Sequence, residues 1–307
     1  MRESTLEGRV FRPGHRGLTI LLTSALCLLP FALRAPAYAQ TPVPPHRIVS
    51  LVPAVTEMLF AIGAGDFVIG VSSYDHYPKE VETRARVGAL IDPDFERIIS
   101  LKPDLIIVYG TQAELITRLD RARLPMFKYQ LAGLADITTT LRVIGARVGR
   151  SGPANAEADR LERELADIRH RVAGEPRPKT LLVFGREAGA IRGVYASAGT
   201  GFLHDMLEIA GGDDVFADVK RQSVQASTEQ ILARAPEVII EIRTDAGFTT
   251  SRAAGDEMKV WHVLPGIPAV RNNRLIMLTD AMLAIPGPRV ADATRAIAKA
   301  LHPGAFR

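Results

Sequence analysis

Two stretches of this chain repeat one another at a fixed distance. Asp94-Phe95-Glu96-Arg97-Ile98-Ile99 leads to Pro103-Asp104-Leu105-Ile106-Ile107, and Ser227-Thr228-Glu229-Gln230-Ile231-Leu232 leads to Pro236-Glu237-Val238-Ile239-Ile240. A constant offset of 133 residues sets Glu96 on Glu229 and Pro103 on Pro236. A second match aligns Met58-Leu59 through Gly63 with Met206-Leu207 through Gly211. Internal similarity of this kind predicts two similar lobes with a cleft between them.

Each lobe alternates short apolar runs with helical patterns. Arg47–Val52, Val68–Val71 and Leu105–Val108 read as buried strands, separated by helices at 56–62, 95–101, 112–122 and 136–148. The second lobe opens at Thr180–Phe184. It continues with helices at 202–210 and 228–234, strands at Val238–Ile242 and Leu275–Leu278, and a helix at 289–301. The alternation predicts α/β architecture: two Rossmann-like lobes with mainly parallel sheets. Between them Ala158, Leu161, Leu165, Ile168 and Val172 recur at helical spacing, ahead of a Gly174-Glu175-Pro176 stop. One long backbone helix joining the lobes would limit how far they hinge. The expected organisation is an N-terminal lobe at 40–150, the linking helix at 151–175 and a C-terminal lobe at 176–307.

Residues 1–39 read as an export signal rather than as fold. Arg2, Arg9, Arg12 and Arg16 precede an apolar run from Leu18 to Leu33, and Ala37-Tyr38-Ala39 gives a small-x-small cleavage pattern. The run is short for a spanning helix, which needs ~20 residues; an uncleaved anchor is the alternative. Removing the segment lowers basic residues from 38 to 33 and acidic from 34 to 32, so the net charge falls from +4 to about +1. No electrostatic footprint for nucleic acid remains. The single cysteine, Cys27, leaves with the signal, which excludes thiol nucleophiles and cysteine metal sites.

Enzyme signatures are missing. The sequence has no Gly-x-Ser-x-Gly elbow, no phosphate-cradling Gly-x4-Gly-Lys loop and no His-Glu-x-x-His pair. Gly63-Ala64-Gly65 closes a helix instead of opening one. No catalytic residue and no resident metal site is assigned.

Binding candidates lie where strands end, the edge at which open α/β sheets take ligands. Val71-Ser72-Ser73-Tyr74-Asp75-His76-Tyr77-Pro78 follows a strand. Tyr74, His76 and Tyr77 there can stack on a flat ligand, hydrogen-bond it or coordinate a metal it carries. A polar turn lying on the lobe surface is the plainer alternative. Tyr109 and Gln112 follow the next strand, and Phe184, Arg186 and Tyr195 follow strands of the second lobe. Arg186 would meet a carboxylate or phosphate, or else stand solvated on its loop. Glu96 and Glu229 each fall in the first turn of a helix whose apolar face points elsewhere. The helix dipole accounts for either acid alone. It does not account for the same acid in both lobes, which makes a two-point electrostatic grip for a partner with paired cations.

Arg47-Ile48-Val49-Ser50-Leu51-Val52-Pro53-Ala54-Val55-Thr56-Glu57, Val71-Ser72-Ser73-Tyr74, Glu96-Arg97-Ile98-Ile99-Ser100-Leu101-Lys102-Pro103-Asp104 and Pro286-Gly287-Pro288-Arg289 together resemble the helical-backbone periplasmic substrate-binding proteins of ABC importers. That family carries vitamin B12, haem and ferric siderophores, and the likeness, over about residues 46–303, is closest to its B12 branch. The resemblance implies a periplasmic monomer without a resident cofactor. It would bind a metal chelate between its lobes, with a cobalt corrinoid ahead of haem or a ferric siderophore, and work with an importer permease and its ATPase. Tyr74 falls on the branch's ligand-contacting tyrosine, and Glu96 and Glu229 on the pair that docks against permease arginines. The branch lines its cleft with tryptophans, whereas Leu90, Ser223 and Tyr109 stand at those places here. Ile285 stands where a polar contact is expected, and the only tryptophan, Trp261, reads as structural. A periplasmic enzyme acting on a tetrapyrrole in the same cleft is the rival from another class.

Overall fold

The computed structural model describes residues 43–244 and 251–307; the export-signal expectation for 1–39, Cys27 included, lies outside them. The first sheet grows from β1 (Ile48–Ser50), which is followed by α1 (Pro53–Ala61), β2 (Val68–Val71), β3 (Ala85–Arg86) and α2 (Phe95–Ser100). Next come β4 (Leu105–Tyr109), α3 (Ala113–Arg121), β5 (Met126–Tyr129) and α4 (Ala135–Arg147). The strand order is β3-β2-β1-β4-β5 and every pairing is parallel. Apolar runs without alternation are what such a sheet requires, because helices cover both faces. Ile48, Leu105 and Ile107 pack with α1 and α4 on one side, while Val49, Ile106 and Val108 pack with Ile98, Leu115 and Leu119 on the other.

α5 (Ser151–Arg171) leads into the second sheet, through β6 (Lys179–Gly185), β7 (Val194–Ser197), α6 (Phe202–Ile209), β8 (Asp213–Asp214) and β9 (Ser223–Ala226). α7 (Thr228–Arg234), β10 (Val238–Ile242), α8 (Ser251–Met258), α9 (Pro268–Arg271), β11 (Leu275–Leu278) and α10 (Val290–Leu301) complete the chain. The order β11-β10-β6-β7-β9 reproduces β5-β4-β1 in its half β11-β10-β6, again parallel. The repeat ends there: β7 runs antiparallel to both β6 and β9, so this sheet is mixed where the first is wholly parallel.

The repeated helices begin alike. Asp94 Oδ1 accepts the Arg97 amide at the start of α2, and Ser227 Oγ accepts the Gln230 amide at the start of α7. Ser227 and Gln230 form a reciprocal capping box, as the sequence pattern indicates.

α5 is 21 residues long and, at about 1.5 Å per residue, spans ~31 Å. Its Ala158, Leu161 and Ile168 are buried and Leu165 partly so, and Val172, just past its end, is buried too. They belong to one continuous hydrophobic cluster that runs from Ile48 and Leu59 in the first lobe to Leu182, Ile240 and Ile297 in the second. α4 crosses α5 at Gly145, where an added Cβ would stand 2.1 Å from that of Ala154. Only glycine permits this approach.

Candidate functional site

The two sheets present the C-terminal ends of their strands to a common cleft, filled by two adjoining cavities. One, of about 490 Å³, is lined from the first lobe by Pro53, Ala54, Tyr109, Gly110, Thr111, Tyr129, Gln130 and Leu131. The other, of about 470 Å³, is lined by Phe184, Gly201, Phe202, Leu203, Ser223, Ile242, Arg243, Thr244 and Leu283 of the second lobe. Gln222 and Ala284 border both. Gln222 Nε2 also donates to the Leu131 carbonyl across the cleft at 3.1 Å. Two further contacts tie the lobes: the Leu134 amide donates to Asp205, and Arg289 forms a two-bonded ion pair with Glu57.

Of the sequence candidates, Tyr109 and Phe184 line these cavities. Tyr109 packs edge-on against Tyr129, their ring centroids 6.1 Å apart. Burial pushes the Tyr109 hydroxyl up to about 12, helped by the nearby Asp75 carboxylate. Phe184 is paired with Tyr195, 6.4 Å away on the adjoining strand, and both rings are partly exposed. Ser223 and Ile285 line the cleft, whereas Leu90 lies beside it in a separate depression with Ile91 and Arg118.

The loop after β2 puts Tyr74 and His76 in solvent at the same sheet edge. Tyr74 is 67% exposed and lines neither cavity. Tyr77 carries the Arg289 guanidinium over its ring at 4.1 Å, so it supports the Glu57 ion pair. Asp75 anchors the loop. Its Oδ2 accepts the Ser72 amide, and Arg86 grips the Ser72 and Asp75 carbonyls. Burial drives the Asp75 carboxyl up to about 7, against the pull of the Ser72 amide and Arg86.

Two candidates have other work. Arg186 is wholly buried: Nε meets Glu241 at 2.7 Å, and the remaining nitrogens meet Glu257 and the Glu187 and Ala190 carbonyls. Its guanidinium therefore offers no donor to a ligand. The need to neutralise Glu241, which also accepts the Trp261 indole N–H, explains the arginine. Trp261 itself is buried in the second-lobe core. Gln112 is consumed as well, its Oε1 accepting the Tyr109 amide and its Nε2 donating to the Leu90 carbonyl.

Glu96 and Glu229 are exposed in the first turns of α2 and α7. Glu96 lies 3.6 Å from Arg118, whose guanidinium stacks on Phe95. Backbone and Ser227 hydrogen bonds hold the Glu229 carboxyl below its ordinary range.

Sequence reasoning missed Tyr129, Gln130 and Gln222. Tyr129 ends β5, whose Met-Phe-Lys-Tyr is too short and too interrupted by Lys128 to read as a strand. The alternation of elements nevertheless calls for a strand between α3 and α4, and β5 supplies it.

Two lobes meeting at strand ends over a shared cleft define a binding protein, and the family model described as periplasmic binding protein matches residues 48–282. The chain belongs to that family. It is 29% identical over 226 residues to the vitamin B12-binding protein of Yersinia pseudotuberculosis serotype O:1b, covering 73% of this chain and 77% of the relative. Among solved structures it resembles the periplasmic vitamin B12-binding protein BtuF of Vibrio cholerae, with a TM-score of 0.72 and 24% identity over 86% of this chain and 99% of that one. It also resembles the periplasmic haem-binding protein RhuT of Roseiflexus sp. RS-1, with a TM-score of 0.70 and 24% identity over 85% and 99%.

Proposed function

We propose that the chain is an exported, non-catalytic carrier that takes a metal chelate into the cleft and passes it to the permease of an ABC importer, with cobalamin as the cargo. The observation that carries this reading is the paired cavity at the strand ends, walled by aromatic and aliphatic side chains from both lobes. Such walls bury the faces of a flat macrocycle, and a few polar groups then fix its orientation. The naming of relatives as vitamin B12-binding proteins favours a corrinoid. Haem is the second reading, favoured by the likeness to a haem-binding fold and by the exposed Tyr74 and His76 at the cleft's edge.

Glu96 and Glu229 are the expected docking pair, one per lobe, each exposed at a helix start. In a cell lacking its own carrier, the Glu96→Arg/Glu229→Arg chain is expected to abolish cobalamin uptake while purified protein binds the ligand unchanged. Uptake that survives the double reversal contradicts the docking assignment.

A further inference from the structure

An exposed acid steers and orients a partner, but while it stays in water it adds little to how long that partner remains bound. Lasting contact comes from side chains that lose their water when two surfaces meet. Such side chains stand beside both docking acids. α2 packs its fully buried Ile98 against the first sheet, and α7 packs Ile231 against the second. The residue after each is aliphatic as well, and the core does not account for it. Ile99 is half-buried and Leu232 is 43% exposed, and neither joins a hydrophobic cluster among the described residues. Each lies three residues beyond its glutamate, so acid and aliphatic share one flank of their helix. The 133-residue offset that sets Glu96 on Glu229 also sets Ile99 on Leu232. A lone aliphatic at a surface needs no explanation; the same one beside the same acid in both lobes does. This chemistry fixes that of the partner. The acids exclude an anionic membrane surface as the occupant. What fits is a protein that presents a cation beside an apolar recess, and presents the combination twice, as a permease of two like halves does.

We infer that Ile99 and Leu232 are the apolar anchors of the docking surface, each entering an aliphatic recess on one half of the permease beside the cation that meets its glutamate. The inference rests on the docking reading above and adds to it the residues that hold the carrier once the acids have placed it.

Spheroplasts of the parent cell with its carrier gene deleted expose the periplasmic face of the inner membrane. Binding of the fluorescently labelled chain to them gives association and dissociation rates. Three chains are compared: the wild type, Ile99→Ala/Leu232→Ala and Glu96→Arg/Glu229→Arg, with thermal unfolding of each in solution. Alanine, the best helix former, keeps α2 and α7 intact. The wild type is expected to bind and the acid-reversed chain is not. The alanine pair is expected to dissociate about 10-fold faster or more, as when interface anchors are truncated. Its association rate, and the salt dependence of that rate, should match the wild type because both acids remain. Its melting temperature should be unchanged; a marked fall would make the two side chains structural and overturn the inference. Dissociation as slow as the wild type's overturns it too, and leaves the docking acids standing. A wild type that binds no better than the acid-reversed chain contradicts the docking reading itself, and the inference falls with it.

Discussion

Buried charge explains why two residues of this chain are what they are. Arg186 and Glu241 have side chains with no exposed surface and pair at 2.7 Å, with Glu257 as the second acid on Arg186 and Arg243 the second cation beside Glu241. Arg186→Met is expected to leave Glu241 without its closest cation and to destabilise the fold by about 3–5 kcal/mol in denaturant unfolding; a loss under ~1 kcal/mol would contradict the assignment. Asp75 behaves in the opposite sense. Its carboxyl titrates near 7 in the folded chain against 3.8 for the free group. The folded state therefore holds the extra proton between those values, and stability is lost as pH rises from about 4 to about 7. Asp75→Asn should flatten that slope, by up to ~4 kcal/mol across the window. An unchanged pH profile of unfolding would show that the carboxyl is not held up. Neither residue's state is legible in the sequence. Arg186 follows a strand as a ligand-reading arginine would, and only the placement of Glu241 on β10 and Glu257 on α8 reveals its partners.

Most elements could be read before the fold was known, because the sheets are buried on both faces. Val68–Val71, Val238–Ile242 and Leu275–Leu278 occupy the expected strand limits, and α7 and its capping box stand where the pattern set them. Strands escaped notice where apolar character is interrupted, as in β5 with Lys128, or where they pair antiparallel and alternate, as in β7 and β9. The cleft suffered accordingly, since β5 carries Tyr129 and the start of β9 adjoins Gln222. The linking helix was legible from its apolar stripe, but not its closest contact. Gly145→Ala would force a methyl against Ala154, and although alanine favours helix by ~1 kcal/mol, overpacking should prevail with a net loss of about 1–2 kcal/mol. Unfolding that is unchanged or more cooperative at higher denaturant would mean that α4 and α5 can part without cost.

At the scale of the molecule, the lobes are not independent bodies hung on a hinge. One hydrophobic cluster passes through α5 and α10 from the first sheet to the second, and Glu57–Arg289 and Leu134–Asp205 bridge the rest. A cleft so braced is largely formed before its ligand arrives, so binding energy goes into contact rather than closure. The repeat that first revealed the two lobes also gives them matching exposed glutamates, one on each lobe, on which the proposed docking rests. The measurement that tests this account most directly is a calorimetric titration of the purified chain with cyanocobalamin, with hemin titrated in parallel. The account predicts one-to-one binding of the corrinoid in clear preference to hemin. Absence of corrinoid binding, or hemin bound more tightly, would contradict it.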